Sequence, residues 1–160
     1  MLLGDCMAFN IVLVEPEIPQ NTGNIVRTCA VTGSLLHLVK PLGFSIEDRY
    51  LKRAGLDYWK DAQVKVYESI EEVWEQNAGS VFYYSSTKAK INYSEASFED
   101  GSFVVFGKET AGLPESIIYG NYDHAIRIPM REGQRSLNLS NSVAIVLYEA
   151  LRQWSFPGMK

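Results

Sequence analysis

IPMREGQRSLNLSNSVAIVLYEALRQW, residues 128–154, changes character twice along its length. Ile128, Pro129 and Met130 close a strand. Arg131 to Asn138 is a polar loop. From about Leu139 the chain reads as a helix, and its entry is crowded with Ser136, Asn138, Ser140, Asn141 and Ser142. Such side chains accept hydrogen bonds from the free N–H groups of a helix N-terminus, and they also suit a polar small molecule. Val143 to Leu147 is then apolar without interruption. A helix apolar all round is buried all round, so its second face must be covered by more of its own chain or by another subunit. A charge placed at Val146 should then cost the dimer or the fold.

Working outward, the preceding segments alternate between short apolar runs and helical patterns. Phe9 to Val14 (FNIVLV) is continuous and rich in β-branched residues, the pattern of a strand covered on both faces. Asn21 or Thr22 caps a helix running to Val31, which Gly33 ends. Further strands read at Leu35 to Val39, Val64 to Tyr67, Val81 to Tyr84, Phe103 to Phe106 and Ala125 to Ile128. Helices read at Ile46 to Ala54 (stopped by Gly55), from a Ser69/Glu72 capping box to Gln76, and at Pro114 to Tyr119. Asn92 to Ser102 is the one long polar loop, expected exposed and mobile. The fold class is α/β, a mainly parallel sheet flanked by helices. Residues 1–8 read as a mobile leader, with Met7 an alternative start, and 9–156 as one domain.

The totals narrow the function. A net charge of −4 on 160 residues argues against general nucleic-acid binding but leaves room for a local basic patch. Arg27, Lys40, Arg49, Lys52, Arg53, Lys88, Lys90, Arg131 and Arg135 are its candidates. Cys6 and Cys29 form no ligand spacing and read as reduced thiols of a cytoplasmic protein. No apolar run is long enough for a membrane span, and no metal motif is present. GxGxxG, P-loop, HExxH and GxSxG patterns are absent. His37 and His124 stand alone in or beside apolar runs and read as structural. Tyr83 and Tyr84 read as core.

In open α/β sheets ligands gather at the carboxyl ends of the strands. One such end carries Asn21-Thr22-Gly23-Asn24-Ile25-Val26-Arg27, where a helix start can hold an anion and Arg27, about one turn in, can grip phosphate with two bonds. A plain capped helix with a surface Arg would carry the same residues. Another carries Phe106-Gly107-Lys108-Glu109-Thr110-Ala111-Gly112-Leu113-Pro114. Gly107 there admits close approach to the backbone, and Glu109 either holds a ligand amine or structures the loop.

Taken in order, NTGNIVR, FGKETAGLP and IPMREGQRSLNLSNSVAIVLYEALRQ resemble the three motifs of the SPOUT-class RNA 2′-O-ribose methyltransferases. EPEIPQNTGN, RAGLDYW and the lack of an appended RNA-binding domain resemble the branch that modifies the wobble nucleotide of tRNA. The resemblance runs from Phe9 to Gln153. It implies a deep C-terminal trefoil knot, rare among folds, a homodimer, and S-adenosylmethionine held in the knot. By motif position Ser85, Ser86, Gly107, Ile128, Met130, Ser136 and Leu137 would hold that cofactor, with Thr87 beside the two serines. Arg27, Asn21 and Asn138 would be catalytic. Asn24, Glu109, Arg135 and Ser140 would meet the substrate, a tRNA anticodon stem-loop methylated at cytidine 34 or a modified uridine 34. In the dimer Arg27 of one subunit would serve the cofactor of the other. Two rival readings stay open: a catalytically silent RNA-binding protein of the same fold, and an enzyme acting on another RNA or a nucleotide-like metabolite.

Overall fold

Every residue of β1 (Asn10–Val14) is buried, because β1 lies mid-sheet with helices over both faces. A computed structural model describes residues 8–47, 49, 53 and 58–160. β1 pairs in parallel with β2 (Leu35–Val39) on one side and β6 (Phe103–Phe106) on the other. With β3 (Gln63–Tyr67), β4 (Phe82–Ser85), β5 (Ile91–Asn92) and β7 (Ala125–Arg127), the order is β3-β2-β1-β6-β4-β7-β5, every pairing parallel.

Alternation along the strands divides the core into two layers. Ile11, Leu13, Leu36, Leu38, Val104 and Phe106 face one side, against α1 (Pro19–Thr32) and α4 (Leu139–Gln153). Val12, Val14, Val39 and Val105 face the other, against α2 (Ile70–Gln76) and α3 (Glu115–Gly120). Cys29 of α1 is fully buried, and burial pushes its thiol up to about 12. Within the sheet His37 is satisfied by Asn10 Oδ1 and the Tyr67 hydroxyl, each at 2.9 Å. Burial, then the positive charge of Lys65, pulls His37 down to about 4.

Several local expectations meet their physical reasons here. Gly33 ends α1 at φ 71°, a left-handed turn that glycine adopts without strain. Ser69 Oγ accepts the Glu72 N–H, while Glu72 reaches back to the N–H of Glu68 and not of Ser69. Asn138 caps α4 by accepting the Ser140 N–H at 2.9 Å. The start of α1 differs from the reading. Pro19 opens the helix, Ile18 is an N-cap with no side-chain bond, and Asn21 and Thr22 are buried inside the first turns. The helix expected from Ile46 to Ala54 and its stop at Gly55 fall largely outside the described residues, as do residues 1–7 of the leader.

Asn92 to Ser102 is exposed at Ser94, Glu95, Ser97, Glu99 and Asp100, as expected, but it is fastened to the core at Phe98. It opens on β5, a short strand absent from the sequence reading, and continues as a 3-10 turn over Tyr93–Glu95. Phe98 is buried between the rings of Phe9 and Tyr83. The Gln153 side chain holds the Phe98 N–H and the Ala96 carbonyl, and Trp154 Nε1 donates to the Phe98 carbonyl.

The chain itself buries Val143, Val146 and Leu147 of α4 completely. Val146 therefore reports on the fold alone. Ala144 and Ile145 are half-buried and Tyr148 is 42% exposed, so an apolar strip is left uncovered. Among the described residues no helix is long and apolar enough to cross a membrane.

Candidate functional site

β1, β6, β4 and β7 are successive neighbours in the sheet, so their four carboxyl ends open side by side. The loops that follow enclose a cleft of about 620 Å³, within the usual range for small-molecule sites. β4 contributes Ser85 and, beyond it, Ser86, Thr87 and Lys88; β6 leads into Gly107 to Leu113; β7 leads into Ile128, Met130 and Arg135 to Leu139. All seven expected cofactor residues line it: Ser85, Ser86, Gly107, Ile128, Met130, Ser136 and Leu137. Asn21, Glu109, Arg135 and Asn138 line it too, whereas Asn24, Arg27 and Ser140 do not. Lys88, Thr110, Leu113, Ile118 and Ser142 complete the wall. Lys88 was a basic-patch candidate and Ser142 one of the polar residues of the helix entry. Thr110 and Leu113 stood in the FGKETAGLP stretch without a role of their own, and Ile118 had none, because only the packing of α3 brings it there.

The polar groups form one directed chain. Glu109 is acceptor-only, and its carboxylate takes the Glu17 N–H at 2.8 Å, the Ile18 N–H at 3.0 Å and Asn21 Nδ2 at 3.3 Å. That bond turns the Asn21 oxygen outward, where it accepts Asn138 Nδ2 at 3.0 Å. Asn138 Oδ1 in turn accepts the Ser140 N–H and hydroxyl, at 2.9 and 2.6 Å. Each amide orientation follows from its neighbour's chemistry. The network ties the starts of both long helices to the loop after β6. Of the two roles open for Glu109, structuring the loop is the one seen.

Gly107 is required for a reason closer to home than a ligand. A Cβ there would lie 2.0 Å from the Gly112 carbonyl carbon and 2.1 Å from the Leu113 nitrogen. The backbone that approaches it is the chain's own, folding back through the Lys108–Gly112 bridge. At the rim Lys88 pairs with Glu115, which holds the Glu115 carboxyl below its ordinary range. Lys108 pairs with Glu15 at 2.9 Å and is held above the usual lysine range.

Arg27 sits apart from the cleft. Because α1 begins at Pro19, Arg27 is more than two turns in rather than one. It is exposed, its guanidinium carbon 4.8 Å from the centre of the Tyr58 ring, a cation–π distance. Among the described residues no group of His, Cys, Asp or Glu is arranged to hold a metal.

The cleft fits a cofactor with both apolar and charged parts. Ile128, Met130 and Leu137 offer apolar surface, Ser85, Ser86 and Ser136 hydroxyls, and the loop from Gly107 to Leu113 exposed backbone. Comparison with known proteins bears on the family. The SpoU rRNA Methylase family profile matches residues 8–148. The tRNA (cytidine(34)-2′-O)-methyltransferase of Methylovorus glucosotrophus is 53% identical over 151 residues, 94% of this chain and 98% of that one. A solved structure concerned with the 2-OH methylation of C/U34 on tRNA superimposes with TM-score 0.89 at 39% identity, covering 93% of this chain and 97% of that one. The AdoMet-bound rRNA methyltransferase of Sinorhizobium meliloti, 23% identical, shares the fold with TM-score 0.80 over 91% of this chain and 56% of its own.

Proposed function

This chain belongs to the SpoU rRNA Methylase family, and we propose that it is a tRNA (cytidine(34)-2′-O)-methyltransferase. It acts on the ribose 2′-hydroxyl of the wobble nucleotide, cytidine or a modified uridine, in an anticodon stem-loop. The observation that carries the reading is the convergence of all three sequence motifs on one strand-end cleft through the Glu109–Asn21–Asn138–Ser140 chain. Near-full-length relatedness to the Methylovorus enzyme supports the substrate.

S-adenosylmethionine, when bound, supplies a methyl group on a sulfonium leaving group. The chain's own residues hold and orient. Ile128, Met130 and Leu137 shelter the apolar part, and Ser85, Ser86 and Ser136 bind polar edges. Asn21 and Asn138 fix the two helix starts beside the reacting centre. Arg135 at the cleft, with Asn24 and Ser140 just outside it, meets the RNA. Arg27 grips a phosphate and polarises the 2′-oxygen, a role for a fixed guanidinium fork rather than a base.

Arg27 and the uncovered strip of α4 carry the rest of the reading. The chain is a homodimer through Ile145 and Tyr148, and Arg27 of one subunit serves the cleft of the other. The Ile128 to Asn138 segment belongs to a deep trefoil knot. The protein is cytoplasmic, where its tRNA is. Ile145→Glu should yield a folded monomer by sedimentation, inactive because its clefts lack Arg27; a wild-type monomer at micromolar concentration would overturn the shared site. Pulling the chain from both ends should give an extended length shortened by a tightened knot. Mass spectrometry of wobble nucleosides from cells with and without the gene tests the activity itself, and unchanged 2′-O-methylation at position 34 would overturn it.

A further inference from the structure

The segment Glu15-Pro16-Glu17 leads from β1 into α1, and Lys108-Glu109-Thr110 leads out of β6. These two turns hold each other reciprocally. The Glu17 carboxylate accepts the Thr110 N–H at 3.0 Å and the Thr110 hydroxyl at 2.9 and 3.0 Å. The Glu109 carboxylate accepts the N–H groups of Glu17 and Ile18. Two residues back from Glu17 and Thr110 on each turn, Glu15 pairs with Lys108. Glu15 itself stands at φ 53°, a left-handed conformation that non-glycine residues adopt at a cost of about 1 kcal/mol or more.

The N-cap of α1 has no side-chain bond of its own, and the N–H groups of Glu17 and Ile18, just before its first turn, are met from the β6 loop. That loop, Gly107 to Leu113, is also a wall of the cleft. α1 carries Asn21, Asn24 and Arg27. We propose that Glu17 and Thr110 are positioning residues for methyl transfer, clamping the cleft wall to the helix that presents the arginine. The proposal rests on reading the cleft as the cofactor site. Neither residue reaches the reacting atoms; both act through the placement of α1, where a shift of about 1 Å is enough to slow a reaction a hundredfold.

Glu17→Ala, Thr110→Val, the double variant and the milder Glu17→Gln and Thr110→Ser test it. Hydrogen–deuterium exchange on the ligand-free protein comes first. Amides from Glu17 to Thr28 should exchange faster in Glu17→Ala and Thr110→Val, and as in wild type in Thr110→Ser. S-adenosylmethionine affinity by calorimetry should stay within about threefold in Glu17→Ala and Glu17→Gln, since Glu17 does not line the cleft. Single-turnover methylation of tRNA at saturating cofactor and tRNA should fall about tenfold or more in Glu17→Ala and about threefold in Thr110→Val. Thr110→Ser should restore it, and the double variant should be no slower than Glu17→Ala, since both ends of one clamp are lost together. If Glu17→Ala fails to fold, Glu17→Gln, which keeps one acceptor, should show the same pattern more weakly. Wild-type exchange in Glu17→Ala overturns the clamp. Faster exchange with a wild-type rate overturns its positioning role, as do multiplicative losses in the double variant. An inactive wild type would instead overturn the methyltransferase reading beneath it, while exchange still decides the clamp.

Discussion

Two hydrogen-bonded chains of polar side chains run through this molecule, and they differ in where they end. Asn10, His37 and Tyr67 lie side by side across the sheet, where His37 is 3% exposed and both ring nitrogens are satisfied by the chain. Glu109, Asn21, Asn138 and Ser140 run along the strand ends, and three of the four border the cleft. Both are carried by side-chain amides, Asn10 in the first and Asn21 and Asn138 in the second. The first chain closes on itself and couples only to protons. The second stops at an opening and can couple to a ligand. Closure, more than residue type, separates a network that serves stability from one that serves a reaction.

Gly107→Val should erase that separation. Its side chain meets the Gly112 and Leu113 backbone at covalent-scale distances, so the β6 loop must rebuild. Cofactor affinity should vanish from calorimetry and the melting temperature should drop in the same protein. Affinity preserved in this variant would place the pocket elsewhere.

Arg27→Ala should sharpen the separation. It touches neither network, and its side chain is exposed. Transfer should slow by on the order of a hundredfold, about 3 kcal/mol of transition-state stabilisation, with cofactor affinity and melting unchanged. Arg27→Lys should rescue poorly. Near-wild-type single-turnover rates would remove Arg27 from the reaction. Lost rates together with lost cofactor affinity would move it into the pocket.

The closed network should answer to pH. His37 is held near 4 in the folded chain against about 6.5 unfolded. The unfolded state therefore takes up the proton first. Its contribution is complete above about pH 6.5 and is lost progressively as pH falls toward 4, reaching about 3 kcal/mol. Urea titrations at pH 7 and 4.5 should show a steeper loss for wild type than for His37→Gln. Equal slopes would mean that His37 does not titrate in this way.

Smallest of all, Ser136→Ala should weaken cofactor binding about fivefold, one hydrogen bond of about 1 kcal/mol, and leave stability alone. A shift in melting without a shift in affinity would assign Ser136 to the fold.

What could be read from the sequence follows the range of the forces involved. β1 was legible because burial on both faces writes a continuous apolar run. Gly33 and Ser69 were legible because their partners lie within a few residues. The start of α1 was misread because its cap comes from Glu109, 91 residues from Ile18, and nothing local marks such a partner. Asn92 to Ser102 reads polar, yet it is fastened by Gln153 and Trp154 across more than 50 residues. Phe98 was its one local clue. In the site, motif position picked out residues that line one cleft. It did not show that Gly107 yields to the chain's own backbone.

The thiol of Cys29 makes this chain its own clock. Fully buried, and ionising only near pH 12, it is closed to alkylating reagents while α1 stays packed, since only the exposed thiolate reacts. Peptide mapping resolves Cys29 from Cys6, so the rate at which it acquires label counts the openings of the layer between α1 and the sheet. Set beside the exchange of the α1 amides, that count tells whether the helix frays from its clamped end or leaves the sheet as one piece.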